Sequence, residues 1–391
     1  MNIVLLSAVR TPLGSFGGAL RRQSAAELGA VAARAALERA GVAPDQVGET
    51  VFGNARQAGG GPNVARQIGR RAGLPDSVPA FTVNQACASG MQALALARQA
   101  ILLGQCDCVL AGGTEAMSRI PYLAEGVRWG QKMGSQPLVD AMYRDGYLCP
   151  LSEMIMGETA ELLAREGAIS RQEQDDYAWR SHQRAVAAQR SGGFTAEIVA
   201  VETAPGQTLS ADEHPRPDTS PAQLAKLRPV FAPPGESGTV TAGNASGIAD
   251  GAAALVVASD VFAARHGLRP LARLHGVAAA GVDPRRMGLG PVPAVRQLLG
   301  QLGMDLGRMD LVELNEAFAA QVLACDRELH FDPAKLNIAG GAIALGHPTG
   351  CSGARIVVTL VHALRRMGLR WGLATLCASG GMGLAAVIEA I

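Results

Sequence analysis

The feature that most restricts how this chain can fold is that it states one pattern twice. Gly41-Val42-Ala43 through Val51-Phe52-Gly53-Asn54 is matched by Gly303-Met304-Asp305 through Val312-Glu313-Leu314-Asn315, and Ala88-Ser89-Gly90-Met91 by Cys351-Ser352-Gly353-Ala354. The two copies lie about 262 residues apart, a period that describes two similar α/β halves packed together and not a solenoid of short units. Each half alternates strand-like with helix-like runs, which predicts a mixed sheet in each, covered by helices. Both copies close with a strand running into a glycine pair, read as a turn at Gly112-Gly113 and at Gly380-Gly381.

Within the first half, Ser24-Ala25-Ala26-Glu27 reads as a capping box opening a helix to about Ala40, and Gly41 ends it. Strands are expected near Thr50–Phe52 and from Cys106 to Leu110. Residues 77–97 carry no charge, but Pro79, Asn84, Gln85, Ser89, Gly90 and Gln92 make them a buried strand, turn and helix and not a bilayer span. From about Met117 to Val240 charges, tryptophans and prolines rise and the rhythm lapses, as in an inserted domain. There Ser170-Arg171-Gln172-Glu173 opens one helix toward Gln189, and Pro205 to Pro234 reads as loops. The division is therefore 1–117 with 241–267 for the first half, 118–240 for the insertion, and 268–391 for the second half.

A net charge of +1 with scattered basic residues argues against a nucleic-acid footprint or a polybasic membrane patch. Seven cysteines without disulfide-like spacing fit a reducing compartment. Ile3-Val4-Leu5-Leu6 begins a strand with no basic segment or cleavage site before it, so a cytoplasmic location is expected. Cys106 and Cys108 have zinc-like closeness but no second pair, and alternating strand positions explain them better; no metal is expected.

Chemistry concentrates at four places. In Val83-Asn84-Gln85-Ala86-Cys87-Ala88-Ser89-Gly90-Met91-Gln92 a cysteine stands where a strand should turn into a helix. The positive end of that helix favours the thiolate, and small neighbours let a substrate approach. Gly340-Gly341-Ala342-Ile343-Ala344-Leu345-Gly346-His347-Pro348-Thr349-Gly350 brings a histidine to another glycine-rich helix start, and Leu376-Cys377-Ala378-Ser379-Gly380-Gly381 a second cysteine to a glycine turn. The fourth is Asn315-Glu316-Ala317-Phe318. Taken singly, each has a plainer reading: a buried thiol, an ordinary polar histidine, a small hydrophobe in a strand, an asparagine ending one.

Together and in this order, the four motifs resemble the thiolase family, the acetyl-CoA acetyltransferases and 3-ketoacyl-CoA thiolases, and the resemblance runs from Val9-Arg10-Thr11-Pro12 to the C-terminus. It implies an α/β fold of five alternating layers, α-β-α-β-α, built from the two duplicated halves plus an inserted loop domain. It also implies reversible Claisen condensation and thiolysis of 3-ketoacyl-CoA by a ping-pong route through an acyl-cysteine. Cys87 would be the nucleophile, His347 would take its proton, and Cys377 would move the proton at the α-carbon. His347 and a water held by Asn315 would bind the enolate or thioester oxygen. The amides of Cys87 and Ser379 would form the other oxyanion hole. Ser379 replaces a glycine usual in the family, which a main-chain donor tolerates unless the turn needs positive φ.

The resemblance further implies coenzyme A and acyl-CoA as substrates with no tightly bound cofactor. Ser246 would meet a pantetheine amide, Arg216 would lie near the nucleotide, and Phe231, Ala317 and Phe318 would line the trench. Met156 and Met287 would stand beside the acyl group. A solvated loop charge is the plainer reading of Arg216, and core filling that of the methionines. Cys351 is read as helix packing. Ile155 stands where short-chain biosynthetic members commonly carry histidine, which leaves acetoacetyl-CoA and a longer 3-ketoacyl-CoA both open. A role in fatty acid metabolism and a homodimer or homotetramer follow from the same resemblance. The rivals are a decarboxylating ketoacyl synthase, disfavoured by Cys377, and a non-catalytic acyl-CoA carrier, disfavoured because Cys87, His347 and Cys377 are all present.

Overall fold

In the computed structural model, which describes residues 1–232, 235 and 237–391, each half holds its own mixed run of strands, and one short contact joins the two runs into a continuous hydrogen-bonded path. The first half supplies β1 (Ile3–Arg10), β2 (Glu49–Gly53), β3 (Ala80–Val83), β4 (Cys108–Ala116) and β5 (Ala249–Ser259). The second supplies β6 (Ala272–Gly281), β7 (Leu311–Leu314), β8 (Trp371–Ala378) and β9 (Met382–Ala390). Their order is β7-β8-β9-β6-β1-β5-β4-β2-β3, and the two-residue strand Gly14–Ser15 pairs with β5 off this path. The duplication is visible in the pairing: β2 runs parallel to β4 as β7 does to β8, and β5 lies antiparallel between β4 and β1 as β9 does between β8 and β6. Among the described residues the strands of the two halves pair only where Val4 and Leu5 meet Arg273 and Ala272.

The alternation of side chains along each strand makes the layers. On β5, Ala253, Leu255 and Val257 face a central core while Ala252, Ala254, Val256 and Ala258 face an outer one; on β9, Leu384, Ala386 and Ile388 face the centre and Ala385 and Val387 the far side. The central core holds α3 (Ser89–Leu102) and α8 (Thr349–Met367). The outer cores hold α1 (Ala25–Ala40) and α2 (Val64–Arg71) on one side, α6 (Pro291–Leu302) and the start of α7 (Ala319–Leu329) on the other. This is the five-layer α-β-α-β-α arrangement, and strands covered on both faces read as unbroken apolar runs for that reason.

Local signals hold where they are short-range. Ser24 and Glu27 form the capping box of α1, and Gly41 ends it in the left-handed region at φ 66°. Ser170 and Glu173 cap α5 (Arg171–Arg190) in the same way. Three expectations need correcting. Gly112-Gly113 is no turn: both lie inside β4, where a Cβ on Gly113 would collide with the Gly350 carbonyl at the start of α8. The stretch around residues 77–97 is not buried throughout, because β3 is an edge strand with Phe81 exposed. The insertion also carries a second long helix, α4 (Met156–Glu166), capped by the Glu158 carboxylate accepting from the Ile155 amide (2.8 Å). Loops do prevail from Pro205 on, with a hairpin of Val201–Ala204 and Gln207–Leu209 at their start, and residues 233 and 234 fall outside the described residues.

Helices α3 and α8 meet through glycines. A Cβ on Gly90 would stand 2.8 Å from the Ala354 nitrogen, and one on Gly353 would stand 2.5 Å from the Met91 nitrogen. Gly90 with Met91 and Gly353 with Ala354 are the duplicated residues, so each copy packs on the other across a pseudo-twofold axis. Gly353→Ala should therefore lower stability by about 1–3 kcal/mol through overpacking. Gly300→Ala in α6, where an added Cβ meets nothing within 4 Å, should leave it equal or higher. Urea unfolding midpoints of the two variants check this; equal midpoints would refute the contact.

Candidate active site

The turn from β3 into α3 is built by its own side chains. Ser89 Oγ donates to the Ala86 carbonyl (2.6 Å) and accepts from the Gln85 amide (2.8 Å), while Asn84 Oδ1 accepts from the Ala86 amide (3.0 Å). These bonds hold Ala86 at φ 49°, a conformation a β-carbon disfavours, and they present Cys87 immediately before the N-cap residue Ala88. His347 stands likewise immediately before Pro348, the N-cap of α8. The pseudo-twofold axis thus brings a thiol and an imidazole to the same end of a helix pair.

Cys87, His347, Cys377 and Ser379 open onto one cleft of about 490 Å³, lined also by Arg56, Tyr147, Met156, Ser246, Met287, Ala317 and Phe318. A longer trench of about 1020 Å³ continues from it past Ile155, Phe231, Ala245 and Gly247. Tyr147, Met156, Ser246, Phe318, His347 and Thr349 belong to both. The trench wall is tied together by the Ser246 amide donating to the Ala317 carbonyl (3.0 Å) and by an edge-to-face contact of Phe231 with Phe318, centroids 6.1 Å apart. Met156, Met287, Ala317, Phe318 and Cys377 form one small core beneath it.

Two expected residues do not line either space. Asn315 is buried at the end of β7, its amide donating to the Thr375 carbonyl two residues before Cys377 (3.0 Å), and neither Oδ1 nor Nδ2 has a protein partner. Arg216 lies in a separate open depression with Pro215, Asp218, Thr219 and Leu224. Cys351 is fully buried in α8 and packs in the central core. Ser379 is not among the residues with positive φ; Gly380 and Gly381 take those positions at 87° and 82°, so the turn accepts serine.

The electrostatics set up proton exchange. Burial pushes the Cys87 thiol up, while the Arg56 charge and the backbone amides of Ser379 and Cys87 itself pull it down. Burial, and the nearby Arg355 and Arg56 charges, push the His347 imidazole down to about 3, so it is neutral. Ser352 Oγ donates to the Pro348 carbonyl (3.0 Å) and lies 2.6 Å from His347 Nδ1, which assigns the ring proton to Nδ1. Nε2 is left a buried lone pair with no protein partner, the form a base must have. Burial, with the Cys87 and Cys325 thiols nearby, raises Cys377 well above an ordinary thiol, so it rests protonated and can donate.

Sequence reading missed Arg56, Tyr147 and Glu115. Glu115 is buried in β4 and its carboxylate accepts from Asn54 Nδ2 (2.5 Å), the Ala55 amide (3.1 Å), Thr349 Oγ1 (2.8 Å) and the Gly350 amide (2.8 Å). It clamps the loop after β2 to the start of α8 beside His347. The duplication held the clue, since Asn54-Ala55-Arg56 corresponds to Asn315-Glu316-Ala317, and Arg56 and Ala317 both line the cleft.

Comparison with known proteins matches residues 3–261 to the thiolase N-terminal domain and 268–390 to the thiolase C-terminal domain. The chain is 49% identical over 392 residues to an acetyl-CoA acetyltransferase of Escherichia coli K12, covering 99% of each. Among solved structures it is similar to the Bacillus anthracis acetyl-CoA acetyltransferase, TM-score 0.96 at 45% identity, covering 100% of this chain and 99% of that one. It is equally similar to human mitochondrial 3-ketoacyl-CoA thiolase in complex with CoA, TM-score 0.96 at 44% identity, covering 100% and 98%.

Arg56→Leu removes the largest influence that lowers the Cys87 thiol, so the midpoint of its alkylation by iodoacetamide should move to higher pH. Rates measured from pH 6 to 10 with peptide mass mapping check it, and a midpoint unmoved or lowered would refute the coupling.

Proposed function

Since the chain belongs to the thiolase family and is an acyltransferase, we propose that Cys87, His347 and Cys377 carry its reversible thiolysis and condensation of 3-ketoacyl-CoA. The observation behind this assignment is that the three side chains open onto one cleft, with the lone pair of His347 Nε2 unpartnered. In thiolysis His347 takes the Cys87 proton and the sulfur attacks the 3-keto carbon. The bond between C2 and C3 then breaks, its electron pair passes into the thioester enolate, and the Cys377 thiol protonates C2 to release acetyl-CoA. A CoA thiol next attacks the acyl-cysteine, giving its proton to the Cys377 thiolate, and the departing Cys87 sulfur takes back the proton held by His347. Condensation runs the same steps backwards.

The amides of Cys87 and Ser379 stabilise the tetrahedral oxyanion, because main-chain donors fixed in advance act most strongly where water is excluded. His347, with a water on the free amide of Asn315, serves the enolate oxygen. CoA is a substrate, its pantetheine arm in the trench against Ser246, Phe231, Ala317 and Phe318 and its acyl end beside Met156 and Met287. Arg216, exposed in the neighbouring depression, contacts the nucleotide from outside the trench. Residues 118–240 form the CoA-binding and assembly segment between halves made of 1–117 with 241–267 and of 268–391; Tyr143, Tyr147, Met156 and Phe231 on the trench favour this. The unpaired edge of β3 and the exposed Trp129 and Met133 suit a homodimer or homotetramer. Seven free cysteines suit a cytoplasmic enzyme of fatty acid metabolism. Among the described residues no helix is long and apolar enough to cross a membrane.

Two variants separate the steps. Cys87→Ser should abolish the acyl adduct seen by intact-mass spectrometry after acetyl-CoA treatment. Cys377→Ala should keep that adduct while thiolysis of acetoacetyl-CoA falls by about 100-fold or more. An adduct persisting in Cys87→Ser, or both steps lost equally in Cys377→Ala, would overturn the assignment. Thiolysis across a series of 3-ketoacyl-CoA chain lengths reads how Ile155 shapes the trench.

A further inference from the structure

Arg56 is a cation without a direct ion pair in the cleft that holds Cys87, although the buried Glu115 carboxylate feels its charge. Its Nε is buried with no hydrogen-bond partner, and among the described residues it makes no ion pair. The acids near it are committed elsewhere: Asp145 pairs with Arg144 (2.7 Å), and Glu115 holds Asn54, Thr349 and the amides of Ala55, Arg56 and Gly350. What it does touch is the face of Tyr147, 4.9 Å from the ring centroid. Burial raises that phenol to about 12, so Tyr147 gives a π-face and no negative charge. The mount is rigid, because the Arg56 amide is bonded to Glu115 and Asn84 Nδ2 holds the Ala55 carbonyl (3.0 Å). Room for the side chain depends on Gly146, where a Cβ would collide with the guanidinium.

Its position says what it could meet. Ala55, Arg56, Ala86 and Gly146 line the cleft but not the trench, so with a pantetheine arm in the trench they flank Cys87 on the side away from it. With the trench taken by pantetheine, this part of the cleft, together with Met156 and Met287, is the space open to an acyl chain on Cys87. Resting on the catalytic reading above, we propose that Arg56 binds the far end of the acyl chain and that the preferred substrates are 3-ketoacyl-CoA thioesters whose acyl chain ends in a carboxylate. A guanidinium presents parallel donors that fit a carboxylate in two-point fashion. A methyl in its place leaves a buried polar group unpaired, and such a site rejects the analogue that lacks the partner.

The test compares kcat/KM for CoA-dependent thiolysis of 3-oxoadipyl-CoA and 3-oxopimelyl-CoA with that of 3-oxohexanoyl-CoA and 3-oxoheptanoyl-CoA, which match them in length but end in methyl. Wild type should favour the carboxylated member of each pair by about 10- to 100-fold, the worth of a hydrogen bond to a charged group. Arg56→Leu should bring that ratio to one or below, Arg56→Lys should keep part of it, and Gly146→Ala should lower it by displacing the guanidinium. Equal or better turnover of the methyl-ended chains by wild type would overturn the proposal alone. So would an Arg56→Leu variant that slows both members of a pair in proportion, since the arginine would then act only through Cys87. No thiolysis of any of the four would overturn the catalytic reading and this proposal with it.

Discussion

Everything in this molecule that bears on chemistry depends on two helices starting almost in contact. Gly90 of α3 and Gly353 of α8 let each backbone lie against the other, with Ala354 and Met91 as the reciprocal neighbours. Because the site residues stand one position before each N-cap, the spacing of the helices is also the spacing of thiol and imidazole. The sheet serves this contact. Gly53 and Gly113 have no side chain because Ser89 and Gly350 at the two helix starts press directly on β2 and β4. A larger residue at any of these points would separate the reacting groups as well as loosen the core.

Burial and charge pull in opposite directions around Cys87, and the balance decides which group is ready to react. Desolvation alone would keep the Cys87 thiol protonated and inert; Arg56 and two backbone amides work against it. Cys377 has no cation among the influences on it and feels a second thiol, so it stays protonated. Burial raises both thiols on this cleft, but only Cys87 has a cation working against the rise. The neutral His347 fits between them, since burial removes its charge and Ser352 fixes its tautomer.

The sequence carried the duplication, the capped helices and the four chemical motifs because each is a local or repeated pattern. Ser24 with Glu27 and Ser170 with Glu173 need only their own turn to act, and the structure has both. What stayed hidden is decided by contacts between distant segments. Gly112-Gly113 looks like a turn in isolation and becomes a strand because a helix some 240 residues later packs on it, the kind of tertiary override that local propensity cannot report. Likewise Arg56 carries no motif of its own; its importance comes from Gly146 making room and Tyr147 facing it, neither of which is near it in sequence. Arg216, carried over by resemblance, stands in an open depression that shares no lining residue with the cleft or the trench.

The two halves also divide the labour of holding the site rigid, and they do it with matching chemistry. Glu115 in the first half binds the loop after β2 to the start of α8, while Glu316, following β7 in the second, accepts from Tyr177 (2.9 Å) and Ser181 (2.7 Å) of α5 and from the Asn337 side chain (3.1 Å). Both carboxylates are buried, a costly placement that several donors offset. The buried polar atoms without hydrogen-bond partners include Asn315 Oδ1 and Nδ2 and His347 Nε2, together with Asn54 Oδ1, Arg56 Nε and the Arg355 guanidinium. Of these residues His347 and Arg56 line the cleft, where a substrate or water can use their free atoms, while the two carboxylates hold the segments around them.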